Sequence, residues 1–216
     1  MVQTKRPPRR PARRRSQAER RDESERLLLE ATLKIVAERG VSAATFEEIG
    51  KEAGLSRGLA TQRFGSKRGL IEAVIAYLHR KREAIMRADH VDRMPAFDAI
   101  AHYVDDHLHA QAEEHDGPAY FMLLASTVAD ATTLRELFAA SHERVRVHLR
   151  ALLKQGQARG EIRRNVNADA CALTIGSLLL GASMQRLVDP ATDLQPIRMA
   201  AITILRQALT TPSTRR

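Results

Sequence analysis

Arg57, Thr61, Gln62 and Arg63 recur at helical steps among the apolar Leu59, Ala60 and Phe64, so a helix here would bury one side and present a polar head on the other. That head suits nucleic acid. A guanidinium can donate two hydrogen bonds to the O6 and N7 edge of guanine, and a carboxamide can pair with the N6 and N7 edge of adenine. Arg57, Gln62 and Arg63 are therefore expected at base edges, with Thr45, Thr61 and Lys67 on phosphates. Ser56 and Gly58, at the start of the same helix, complete the expected DNA-facing set. A second kind of chemistry is weaker. His102, Asp105, Asp106 and His109 fall on one side of a helix, but the apolar Phe97, Ile100, Ala101, Val104 and Leu108 define its other side, so the four are expected in solvent with no metal bound. No nucleophile–base pair, metal constellation or phosphate-cradling loop is visible, which leaves a helical enzyme without a motif, and no cofactor is expected.

The reading head needs elements to hold it. Thr45 can cap a first helix by accepting from the amide near Glu48, with Glu48 reaching back to the Thr45 amide. Phe46, Ile49 and Ala53 give that helix an apolar stripe, and Gly54 stands where the chain must turn with positive φ. Ser56 then caps the helix from Arg57 to about Phe64. Gly65 ends it, and Ser66 caps the next, whose Leu70, Val74, Leu78 and Ile85 share one side. Upstream, Leu28, Ala31, Thr32, Ile35 and Val36 predict an amphipathic helix ending at Gly40. Three short helices with one small core make a helix-turn-helix module.

At Arg26 to Ala76 the chain resembles the TetR-type bacterial transcriptional repressors. The resemblance rests on AERG (Ala37 to Gly40), Thr45, Ile49 with AGLS (Ala53 to Ser56), Gly58, and F-x-SK (Phe64 to Lys67). Two positions depart from the family pattern: Thr61 stands where the family most often has a phosphate-contacting Tyr, and Gly50 replaces the usual Ala. The resemblance implies a homodimer. It also implies an all-α second domain that encloses a small molecule and, through the helix from Lys67 to about Arg87, spreads the two recognition helices when that molecule binds.

Composition agrees. The chain has 216 residues, 44% of them hydrophobic, enough for a buried core. Of its formal charge of +9, seven units come from Lys5, Arg6, Arg9, Arg10, Arg13, Arg14 and Arg15, and the rest of the chain carries only +2. This proline-interrupted, acid-free stretch is expected to stay disordered as a basic arm on phosphates or in the minor groove. No apolar run approaches the ~20 residues of a membrane span, and no secretion signal is visible, so a cytoplasmic protein is expected. The single cysteine, Cys171, reads as a small core residue.

Beyond about residue 88 the pattern stays helical, punctuated by Pro95, Gly117-Pro118, Gly160 and Pro190. Thr133 and Glu136 predict a capping box for a long helix, and Asn167 a cap for the next. The last two helices are apolar on too many sides for one domain to cover. Ala172, Ile175, Gly176, Leu179, Leu180, Ser183, Leu187, Ile204, Leu205 and Ala208 are expected at a dimer interface. Ile100, Val104, Phe121, Leu124, Phe138 and Met184 are candidates for the effector pocket. His107 and His142 are either polar groups at its rim or hydrogen-bonded core histidines.

The expected fold is all-α, with an N-terminal three-helix DNA-binding domain and a C-terminal helical ligand-binding and dimerisation domain. Its expected divisions are a basic arm over 1–21, the helix-turn-helix domain over 22–66, a connecting helix over 67–88 and the helical domain over 89–212. The expected function is a homodimeric, ligand-responsive repressor of a near-palindromic operator on double-stranded DNA, released by a small-molecule effector, with no membrane partner. The alternative is a nucleoid-type architectural DNA-binding protein or, behind it, a helical enzyme.

Overall fold

The computed structural model describes residues 16–113, 115–129 and 134–210, without the side chains of residues 112 and 113. Among the described residues all regular structure is helical. The helices are α1 (Gln17–Arg39), α2 (Phe46–Glu52), α3 (Arg57–Phe64), α4 (Lys67–Ala88), α5 (Ala96–Glu113), α6 (Asp116–Ala129), α7 (Arg135–Arg159), α8 (Ala168–Val188) and α9 (Gln195–Leu209).

α1 begins earlier than the apolar pattern predicts. Ser16 accepts from the Glu19 amide at 3.1 Å and its own amide donates to the Glu19 carboxylate at 2.7 Å, closing a capping box ahead of the apolar residues. Residues 17–21, expected in the basic arm, are therefore helical; residues 1–15 of that arm lie outside the described residues. Arg26 braces the exposed turns by pairing with Glu23 and Glu30 at 2.9 and 2.8 Å.

At α2 only half of the expected capping box forms. Thr45 Oγ1 accepts from the Glu48 amide, but the Glu48 carboxylate is taken by the Arg39 guanidinium at 2.8 Å, a stronger charge-assisted partner than an amide. Gly54 turns the chain at φ 67°, and the Leu55 amide bonds the Gly50 carbonyl at 2.7 Å, folding α2 tightly onto the start of α3. Ser56 and Ser66 cap α3 and α4, and Asn167 caps α8, each accepting from the amide three residues on. The expected box at α7 involves Thr133, which lies outside the described residues; α7 follows Leu134.

Two cores result, and they do not divide the chain at residue 88. The first joins Leu28, Leu29, Ile35, Ile49, Ala60, Phe64 and Val74 of the helix-turn-helix region to Phe121, Leu123 and Leu124 of α6 and Phe138 of α7. The second joins Ile100, Val104 and Leu108 of α5 to α7, α8 and α9 through Leu149, Leu153, Ile175, Leu179 and Leu205. α6 thus belongs to the first core, although its sequence position puts it in the second domain. Each fully buried Leu, Ile or Phe contributes about 1.5–3 kcal/mol of transfer free energy, so the seam between α1 and α6 is a firm one.

α8 corrects one expectation about apolar runs. Ala168–Val188 is long and apolar enough, by length and composition, to cross a membrane. In this fold it packs against α5, α6 and α7, burying Ala172, Ile175, Leu179, Ala182 and Ser183. Cys171 on the same helix is half-buried, with its thiol pushed up by that burial.

Candidate DNA interface and effector cavity

The core under α3 fixes which way its polar side faces. Ala60 and Phe64 are buried; Arg57, Gly58, Thr61 and Gln62 are exposed, as are Thr45, Ser56 and Lys67 at the flanking caps. All seven are on the surface. Thr45 and Ser56 cap with an oxygen lone pair, which leaves each O–H free to donate to a phosphate. Arg57 has only a long ion pair, 3.9 Å, with the equally exposed Glu47, and such pairs are worth about 0–1 kcal/mol, so it is readily released.

Two expected contacts look different in three dimensions. Thr61 spends its hydroxyl proton on the Arg57 carbonyl at 3.0 Å, so phosphate binding by this side chain would break that bond. Arg63 is only 11% exposed and points back to α1, 3.6 Å from Glu25 and 3.3 Å from the Arg21 carbonyl. Its expected place at a base edge is corrected to a tie between the recognition helix and α1. Its long side chain reaches an acid and a carbonyl there without leaving the protein surface.

Between α4, α5, α6, α7 and α8 lies a cavity of about 420 Å³, within the range of about 300–1,000 Å³ typical of small-molecule sites. Of the pocket candidates, His107, Phe121 and His142 line it. The others do not. Ile100 and Val104 point into the second core, Leu124 and Phe138 into the first, and Met184 packs beside the first, because the most apolar positions are spent on helix-to-helix packing.

Much of the wall is built by residues that the sequence did not single out for the pocket. α4 contributes His79, Lys81 and Arg82, α5 Tyr103, Asp106 and Gln111, α6 Tyr120, and α7 Ser141 and Arg146. A signal was present: Arg82 continues the α4 stripe of Leu70, Val74 and Leu78, and Gln111 continues the α5 stripe of Ile100, Val104 and Leu108. A polar residue inside an apolar stripe needs a polar partner or a ligand.

The cavity's charges are matched. Lys81 pairs with Asp116 at 2.6 Å, Arg82 with Asp106 at 2.9 Å, and Arg146 with Glu143. Arg82 also lies over the Tyr103 ring, 5.0 Å from its centroid. Ser141 Oγ sits 2.9 Å from both His79 Nε2 and Tyr120 Oη, a relay that satisfies itself. Burial pushes the His79 and His142 imidazoles down and the Tyr120 phenol up to about 12. His107 is pushed down to about 3 by burial, with the Arg82 charge and His142 adding to it. Ser183 donates its hydroxyl proton to the Leu179 carbonyl at 2.8 Å, so His107 Nε2, 3.2 Å from the same oxygen, must be the donor of that pair. Because burial disfavours the charged ring, the imidazole is neutral, and with Nε2 donating, Nδ1 is its acceptor.

Three of the four residues spaced for a metal have other partners, and Asp106 and His109, expected in solvent, line the cavity. His102 bonds Asp89 at 2.9 Å, Asp105 meets Arg198 at 2.6 Å, and Asp106 belongs to Arg82.

The expected dimer residues divide. Ala172, Ile175, Leu179, Ser183 and Leu205 are buried within this chain, which corrects their assignment: they form the inward stripe of α8 and α9. Gly176, Leu180 and Leu187 are partly covered, while Ile204 and Ala208 are exposed. Leu173 on α8 and Met199 and Ile204 on α9 stay uncovered, at 56%, 61% and 58% exposure.

Comparison with known proteins gives a consistent result. Residues 28–74 match the model of the bacterial regulatory proteins of the tetR family, and residues 96–211 that of the BetI-type transcriptional repressor C-terminal region. An HTH-type transcriptional regulator BetI of Vibrio campbellii is 30% identical over 139 residues, covering 61% of this chain and 69% of that protein. A TetR-family transcriptional regulator from Rhodococcus sp. superposes with a TM-score of 0.76 at 22% identity, covering 88% of this chain and all of that one. A transcriptional regulator from Saccharomonospora viridis in complex with choline does so with a TM-score of 0.74 at 19% identity, covering 88% and 99%.

Proposed function

This chain belongs to the TetR family of bacterial regulatory proteins, and on that premise we propose that it is a homodimeric repressor whose operator grip is loosened by a small molecule in the cavity. One observation carries the reading. α4 is a single helix that buries Leu70 and Val74 beneath the recognition helix and, two turns on, lends His79, Lys81 and Arg82 to the cavity wall. A ligand that prefers one position of α4 shifts the α3 pair by its differential affinity for the two positions, and DNA shifts ligand affinity by the same factor.

On the DNA side, Arg57 and Gln62 read base edges, while Thr45, Ser56, Gly58 and Lys67 seat the helix on phosphates. Residues 1–15, with seven cations and no acid, add salt-dependent affinity without sequence preference. A second copy covers Leu173, Met199 and Ile204, setting two recognition helices about 34–36 Å apart on a near-palindromic site. Work on chromosomal DNA in a bacterium puts the protein in the cytoplasm.

Selection of bound DNA from a random pool tests the whole reading. A recovered near-palindrome with half-sites one helical turn apart is the expected result. Retention of random DNA as strong as that of any selected site would overturn it and favour an architectural protein.

A further inference from the structure

The class of effector can be read from what the cavity wall leaves unpaired, given the reading above of that cavity as the effector chamber. His107 and Gln111 stand one turn apart on the same side of α5, and both line the cavity. Gln111 is 4% exposed, and its Oε1 is buried without a hydrogen-bond partner among the described residues. His107 commits Nε2 to Ser183, and no described residue donates to its Nδ1. α5 thus carries one buried acceptor, Gln111 Oε1, that lacks a donor, a costly arrangement unless something fills it, with the His107 Nδ1 acceptor one turn away. Arg146, also on the wall, has the reverse lack: a buried Nε with no acceptor.

Charge narrows the class further. Each of the three cations on the wall has its carboxylate, Lys81 with Asp116, Arg82 with Asp106 and Arg146 with Glu143. A permanently charged ligand would enter without a free counter-ion and lose its hydration uncompensated. Rings at Tyr103, Tyr120 and Phe121 supply flat apolar contact.

We propose that the effector is an uncharged, ring-bearing molecule with a phenol-like O–H, donating its one proton to the Gln111 acceptor and offering its oxygen to Arg146. The group must both give and take a hydrogen bond, which sets it apart from ethers, carboxylates and quaternary ammonium ions.

The test is calorimetric titration of the full chain with 4-phenylphenol, its methyl ether 4-methoxybiphenyl, biphenyl-4-carboxylate and choline. The phenol should bind about tenfold or more tightly than its ether, the difference one hydrogen bond to a buried acceptor makes, and more tightly than either ion. Gln111→Leu and Gln111→Met should each pull the phenol-to-ether ratio toward one, while the ether, which has no proton to donate, still binds. Retained ether binding shows that a variant is folded, and if one variant unfolds the other decides. Equal binding of phenol and ether overturns the proposal, as does binding of none of the four probes. Tightest binding by choline or the carboxylate, with loss of DNA affinity, overturns the effector class but keeps the chamber. Failure of the regulator reading would show separately, as absence of a selected palindrome.

Discussion

A methyl group built on Gly50 would stand 3.0 Å from the backbone nitrogen of Arg57, so α2 meets the first residue of the recognition helix backbone to backbone. The Leu55 carbonyl and the Ser56 carbonyl carbon are equally near. Gly50→Ala gains about 1 kcal/mol of helix propensity and loses about as much by crowding the turn. The expected outcome is a melting temperature within a few degrees of wild type and operator affinity changed several-fold, as Arg57 shifts with the turn. Differential scanning calorimetry beside an operator titration checks this; a large fall in melting temperature would mean the turn cannot give.

Arg63 and Arg57 should separate stability from DNA binding. Arg63 ties α3 to Glu25 and the Arg21 carbonyl, whereas Arg57 is exposed with one long ion pair. Arg63→Ala should cost about 1 kcal/mol of stability as well as affinity. Arg57→Ala should leave denaturant midpoints unchanged and weaken specific DNA. Equal stability of the two variants in urea would contradict this division.

Acid should destabilise the protein through its enclosed histidines. His107 sits near 3 in the fold against 6.5 unfolded, so the unfolded chain takes up the proton first. The stability tied to its neutral form is complete above pH 6.5 and drains as pH falls toward 3, at up to about 1.4 kcal/mol per pH unit for one group. His79, His142 and His148 are shifted in the same direction and add to the slope. His107→Gln should flatten the dependence of melting temperature on pH between 6.5 and 4.5. An unchanged slope would remove His107 from this account.

The uncovered apolar residues give an association test. Leu173→Glu and Ile204→Glu change side chains that are more than half exposed, so neither should disturb the fold. Both should yield monomers by sedimentation at micromolar concentration and lower operator affinity by about a hundredfold, since half of a two-fold contact is lost. Dimers at unchanged affinity would mean that the second copy docks elsewhere.

The helix-turn-helix was readable because each of its boundaries is a local event: Ser56, Ser66 and Gly54 act within a turn of their own position, and the structure has them as caps and turn. The cavity was less readable because its wall is assembled from single residues on five helices, and no local pattern reports which helices meet. His107 was visible as a polar residue between Val104 and Leu108, but its tautomer depends on Ser183, far along the chain. Ile100 and Val104 were drawn to the pocket by being apolar, the same property that spends them in the core. Arg63 misled for a related reason: a helical wheel places it outward, and only the nearness of α1 turns it back.

Leu173 and Ser177 of α8 line the cavity and are also exposed. A neighbouring protomer seated over them would roof the chamber, so oligomerisation and occupancy would become one linked equilibrium. Diluting the protein should then weaken effector uptake, and saturating effector should hold protomers together at concentrations where they would otherwise part.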